Sequence, residues 1–311
     1  MHDMVREVAY GQISEPRRRL IHGRIARVLL EKDPGSLELA GEVAHHASLG
    51  GDHELAARSC LAAARRALWA CAPGDASELV SRGIGHLEGL TPETRLALHL
   101  ELIGLSVYPG MKEHRLPDIE GHLSRIVAEA RAAGLQAQVH RGFQLIADMH
   151  FLNGDFSGAL DQSLRAQVAG RSADPATVVR AIGDTARCLG VIERDLPRAE
   201  RLAREAGELA RGIGYEGHEL PQALGYVHHH AGELDEAVAC FEHAACLARN
   251  EHARWFECAC LRRLVMIELE RGRAADALAR SAELLEVAGK LGEGSDAPFA
   301  EALEALAHLY L

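Results

Sequence analysis

The chain has 311 residues, 48% of them hydrophobic and 25% charged, with 34 Lys and Arg against 45 Asp and Glu, a globular composition with a net charge of −11. An acidic balance of this size argues against nucleic-acid or anionic-lipid binding by the chain as a whole, because neutralising phosphates needs a clustered cationic surface. The longest uninterrupted apolar stretch, residues 67–72, is far short of the roughly 20 residues of a bilayer-crossing helix. The opening MHDMVRE mixes both charges and does not read as a secretory signal. Cys60, Cys71, Cys188, Cys240, Cys246, Cys258 and Cys260 are irregularly spaced without a CxxC, so neither a disulfide framework nor a zinc clip is indicated, and a reducing cytoplasm is expected.

Strands are poorly supported. Thr occurs only at positions 91, 94, 177 and 185, aromatics make up 4%, and Ala, Leu, Glu and Arg fill the segments between breaks. In chain order, a first helical stretch carries Arg17, Arg18, Arg19, Arg24 and Arg27 and stops at Asp33-Pro34-Gly35. A second holds His45-His46 and the turn GGDHELAA, and ends at Pro73-Gly74-Asp75. Breaks at Thr91-Pro92-Glu93 and Tyr108-Pro109-Gly110 divide a region, about 73–134, in which helix pairs carry no clear marker. Beyond it NGDFSGAL, ERDLPRAE, AGELDEAV and RGRAADAL align, the second preceded by the break Asp174-Pro175. A last helix follows Gly292-Glu293-Gly294-Ser295.

Those four segments share a turn followed five residues later by Ala: Gly154 and Ala159, Arg194 and Ala199, Gly232 and Ala237, Gly272 and Ala277, with Gly51 and Ala56 as an upstream copy. The downstream four recur every 38–40 residues, which marks stacked supersecondary units. Gly permits a left-handed turn between two helices, and a small Ala lets the second helix approach the first closely. In the best unit Gly225, Gly232, Ala237, Phe241 and Ala244 are spaced as in the tetratricopeptide repeat, which the sequence resembles; Pro221 and His228 stand where that family carries Trp and Tyr. The copy at Asp155 has Ala147, Gly154, Phe156, Ala159 and Ala166. In the copy at Asp195, Arg194 takes the place of the turn Gly and Arg187 falls where a small residue belongs. The expected fold is an all-α, right-handed α-solenoid of antiparallel helix pairs.

The N-terminal stretch is similar to the end of the winged-helix segment and the first repeats of the signal-transducing ATPases with numerous domains, notably bacterial LuxR-type and cyclase-associated regulators. The residues carrying this resemblance are His2, Asp3, Arg6, Tyr10, Arg19, Leu20, His22, Ile25 and Ala26, then Ala44-His45-His46, Gly51-Asp52 and Ala56-Ala57. No GxxxxGK[ST] occurs, and Gly289-Lys290-Leu291 lacks both the Gly-rich loop and the hydroxyl, so this chain does not carry the ATPase site. The resemblance implies a helical remnant over 1–33 and a repeat array over 34–311. It also implies an ATPase domain upstream and an output domain downstream, both outside the sequence.

Catalytic and metal constellations are weak. No two of the 18 His are three or four residues apart, so no helix presents an HExxH-like ligand pair. The His228-His229-His230 run points in three directions. His45-His46, Asp52 and His53 superficially resemble the ligands of all-helical metal-dependent phosphohydrolases, but fall on the helix-turn-helix of the first copy. The Arg17-Arg18-Arg19 cluster lacks reading residues and fits a solvated face or a contact to an upstream domain better than DNA. Trp69 and Trp255 read as core anchors, and Cys258 and Cys260 as buried small hydrophobes. No cofactor or metal is expected. If first helices line one surface, the binding candidates are Arg141, Gln144 and Asp148, then Glu219, Gln222, Tyr226, His229 and His230, then Arg262. Such a surface suits a peptide or a polar small effector. The expectation is a noncatalytic sensor and protein-interaction scaffold of a bacterial regulator; the alternatives are a stand-alone repeat adaptor binding a protein partner and a metal-dependent hydrolase.

Overall fold

A computed structural model describes residues 10–32, 38–70, 72–107, 118–251, 253–289 and 297–309. Among the described residues there are fifteen principal α-helices and no strand. His2, Asp3, Arg6 and Cys71, the breaks at 33–35, 108–110 and 292–295, and the final two residues lie outside them.

The chain divides into two units, Met1–Leu105 and Ser106–Leu311, and the division falls within the 73–134 stretch that carries no repeat marker. The first unit contains α1 (Glu15–Lys32), α2 (Ala40–Gly50), α3 (His53–Trp69), α4 (Pro73–Gly85) and most of α5 (Pro92–Val107). In it, α1 packs on α2, α2 on α3 and α3 on α4. The second unit runs through α6 (Ile119–Ala132), α7 (Gln136–Leu152), α8 (Phe156–Gly170), α9 (Pro175–Val191) and α10 (Leu196–Ile213). It continues with α11 (Glu219–Ala231), α12 (Leu234–Asn250), α13 (Arg254–Glu270), α14 (Ala274–Gly289) and α15 (Ala297–Leu309). Every helix there packs on the next one in sequence, and α9 also packs on α11, one pair further along. This is the packing of an α-solenoid of antiparallel helix pairs.

The turns explain the repeat. Asp52, Asp155, Arg194, Glu233 and Arg273 each donate a backbone N–H to the carbonyl five residues earlier, at 2.8–3.0 Å, closing the preceding helix in a Schellman-type end. The residue before each donor is left-handed: Gly51, Gly154, Gly232 and Gly272 at φ of 71–79°, and Glu193 at 56°. The turn position of the Asp195 copy is therefore Glu193, not Arg194. One extra residue precedes the cap, which shifts an alignment made on the Ala spacing, and Asp195 then caps α10 through the Arg198 N–H. The partner helices approach closely after every turn, since Ala56, Ala159, Ala199, Ala237 and Ala277 are all at most 1% exposed.

Helix starts follow from short acidic side chains. Asp52, Asp118, Asp155 and Asp174 each accept a backbone N–H three residues on, which satisfies one of the open donors of the first turn. In the best unit the small residue at Gly225 decides the packing, because a Cβ there would stand 3.0 Å from the Phe241 ring. Phe241 meets Tyr226 edge to face at 5.1 Å, and both are buried. Cys258 and Cys260 are fully buried, as expected of small hydrophobes. Trp69 is not a core anchor: it ends α3 and is 41% exposed.

Candidate functional site

The 38–40-residue period brings the first helices of successive pairs, α7, α9, α11 and α13, into one layer of the second unit. Each carries polar side chains about one helical turn apart. On α7, Gln144 donates to Asp148 at 3.1 Å. On α9, Arg187 extends one Nη2 group to both Asp184 (3.4 Å) and Asp148 (3.5 Å), while its guanidinium lies 5.2 Å from the centre of the Phe256 ring on α13. All three charged side chains are only 11–12% exposed. One cation and two carboxylates thus tie α7, α9 and α13 together away from water.

Burial alone disfavours the Arg187 charge, but Asp184 and Asp148 hold the guanidinium more firmly protonated than usual. Burial pushes the Asp148 carboxyl above its ordinary range, against the pull of Arg187. A second polar cluster lies beside the first. Tyr215 donates a short 2.5 Å bond to Glu219, and Arg180 donates to the same phenol oxygen at 3.1 Å. Burial and then the Asp184 charge raise the Glu219 carboxyl. Burial also pushes the Cys188 thiol up to about 11, which makes it a poor nucleophile near neutral pH.

Asp148, Arg187, Gln222, Tyr226, Trp255 and Arg262 line a slot of about 20 Å³, room for about one water. Gln144 Oε1, Gln222 Oε1 and Arg187 Nε are buried around it without a hydrogen-bond partner among the described residues. Of the residues singled out from sequence, Asp148, Gln222, Tyr226 and Arg262 converge on this slot, and Gln144 stands behind it, bonded to Asp148. Tyr226 is 1% exposed and serves the core as much as the slot. Arg141 is half-buried one turn before Gln144, on the helix that carries Asp148. Glu219 belongs to the second cluster. His229 bonds Glu270 at 2.9 Å, and His230 bonds the Gly190 carbonyl at 3.2 Å.

Sequence reasoning missed Arg187, Asp184 and the aromatic pair Trp255 and Phe256. A signal was present: an Arg at a position that should be small, three residues after an Asp on the same helix face, marks a buried cation with a local partner.

In the first unit, Asp52 spends a carboxylate oxygen on the Leu55 N–H, and His46 bonds His22 through their Nδ1 atoms at 2.7 Å. Among the described residues no group of three or more His, Cys, Asp or Glu is placed to hold a metal ion. No helix of the described residues is long and apolar enough to cross a membrane.

No protein-family model matches the chain, and no curated protein matches it. Solved structures do. A signal-transduction ATPase with numerous domains and a tetratricopeptide-repeat sensor, from Pyrococcus horikoshii, superposes with a TM-score of 0.51 at 15% identity, over 99% of this chain and 54% of that one. The likeness is one of fold. This chain spans about half the length of that protein. BtubC from P. vanneervenii matches with a TM-score of 0.48 at 14% identity, over 61% of this chain and 82% of its own. A circular tandem repeat protein matches with a TM-score of 0.25 at 15% identity, over 88% and 76%.

Proposed function

We propose that the chain is the helical-repeat sensor and interaction region of a multidomain bacterial signalling or transcription regulator, working in the cytoplasm without catalysis. The observation that carries this reading is the array of turn-and-Ala helix pairs, a fold held over 99% of this chain by a protein described as a signal-transducing ATPase with a tetratricopeptide-repeat sensor. The N-terminal resemblance to the ATPase-to-repeat junction of LuxR-type and cyclase-associated regulators supports it. In this reading residues 1–33 are the end of a winged-helix linker, residues 34–311 the sensor array, and the ATPase and output domains lie outside the sequence.

A peptide segment or small polar effector enters between α7, α9, α11 and α13, where Gln144 and Gln222 keep acceptor atoms unpaired among the described residues. The slot is too narrow to admit it unchanged, so binding must separate Phe256 from Arg187. A ligand that prefers the parted state shifts the array toward it, and only that preference is transmitted to an attached domain.

The test places a photo-crosslinking residue at Arg262 or His229, with the exposed Glu208 of α10 as control, in protein expressed in its native cells. Adducts formed from positions 229 and 262, and absent from 208, support the reading. Adducts that form only from 208 refute it.

A further inference from the structure

Helix α1 is apolar on both sides. His22 and Ala26 are buried against the array, yet on the opposite side Leu20 is 63% and Val28 61% exposed, with Ile21 beside them at 37%. Large apolar side chains clustered on the solvent face of a helix mark a contact surface. The exposed side is also basic: α1 holds five arginines and one lysine against two glutamates, a net of +4, whereas the remainder of the chain has 28 cationic against 43 acidic side chains, a net of −15. Beside this face runs a groove of about 910 Å³ lined by Glu15, Arg19, Leu20, Gly23, Arg24 and Arg27, where Glu15 pairs with Arg19 and leaves Arg24 and Arg27 as the cations of the groove. It exists because α1 and α2 approach backbone to backbone: a Cβ on Gly50 would stand 2.8 Å from the Gly23 nitrogen.

At the other end of the sequence, α15 uses Ala300, Leu303 and Ala307 to pack on the array and exposes a second stripe at helical spacing. This stripe is Phe299 (44%), Ala302, Leu306 (40%) and Leu309 (83%). Its surroundings are acidic, since α14 and α15 together carry Asp276, Glu283, Glu286, Glu301 and Glu304 against Arg280, a net of −4.

We propose that α1 of one copy of this chain receives α15 of a second copy, Leu306 and Leu309 seating in the groove over Gly23 while Arg24 and Arg27 face Glu301 and Glu304. A pairing of α1 with α1 would set Arg against Arg, so the contact joins unlike surfaces. A contact between unlike surfaces is met either reciprocally in a two-fold pair or head to tail in a ring or chain, so the protein self-associates in each case.

The experiment is sedimentation velocity on the 311-residue protein across concentration, at low and high salt. The expected result is a weight-average mass that rises above the monomer with concentration and falls back toward it when salt screens the charges. Arg24→Glu with Arg27→Glu returns the protein to monomer, and so does Glu301→Arg with Glu304→Arg. An equal mixture of the two variants associates again, because each reversed end then meets a complementary one. Gly23→Glu, whose added Cβ meets no atom within 4 Å, blocks the groove without disturbing α1 and also gives monomer. A mass fixed at the monomer at every concentration overturns the proposal. So does association that survives reversal of either end, or a variant mixture that stays monomeric.

Discussion

Replacing Arg187 by Met keeps an unbranched side chain of similar length and removes the cation between Asp148 and Asp184. Each attraction, at 3.4–3.5 Å, is about 5 kcal/mol at an effective dielectric of about 20. Much of that is offset in the native protein by the desolvation of three buried charges. The substitution removes the attraction and leaves both carboxylates buried together, a situation that costs about 3–5 kcal/mol. The loss depends on pH in a fixed direction. Asp148 already sits above its ordinary range, and a carboxyl with a raised folded-state value binds its proton more tightly in the folded chain. The variant is therefore closest to wild type in mild acid and loses stability as pH rises toward neutral. Hydrogen exchange of α9 amides measures this locally, which matters because repeat arrays do not unfold in two states. Arg187→Met with Asp148→Leu and Asp184→Leu recovers most of the loss, since apolar replacement of a whole buried ion cluster is often neutral or stabilising. Wild-type exchange in the single variant at neutral pH, or a loss that grows in acid, would refute the assignment of Arg187 as a buried tie between helices.

Further consequences follow from the packing. Ala237→Leu overfills the fully buried contact between α11 and α12 and should cost about 1–3 kcal/mol, read as a lower denaturant midpoint; an unchanged midpoint would mean the close contact is not there. Glu193→Gly relieves a left-handed non-glycine residue where four sister turns have Gly, and should gain up to about 1 kcal/mol, so a lower melting temperature would contradict the turn assignment. In the first unit, burial and then neighbouring positive charge lower the basicity of His22 and His46, which share a 2.7 Å bond. Protonation therefore disfavours the folded form, and the α1–α2 contact should weaken as pH falls below about 6.5. His46→Gln should flatten that dependence in amide exchange of α1, and a wild-type α1 equally protected down to acid pH would count against it.

The sequence by itself determined the helix pairs, because their causes are local. A left-handed glycine, a capping Asp and an Ala five residues after the turn act within one unit, so they stay readable without knowing what packs against them. Even the misplaced turn at Arg194 was an error of one residue in a copy correctly recognised. The candidate surface was legible only in part. Helical spacing put Asp148, Gln222 and Arg262 on the first helices of their pairs, and the structure brings them to one slot. What they do there depends on residues far away in sequence: Arg187 meets Asp148 from the preceding pair, and Phe256 from α13 lies over its guanidinium. Whether a charge is solvated or buried is set by what the neighbouring repeats place around it, and no pattern within one helix carries that information. Tertiary structure alone decided that a side chain out of place in the repeat pattern is the one that ties three helices together.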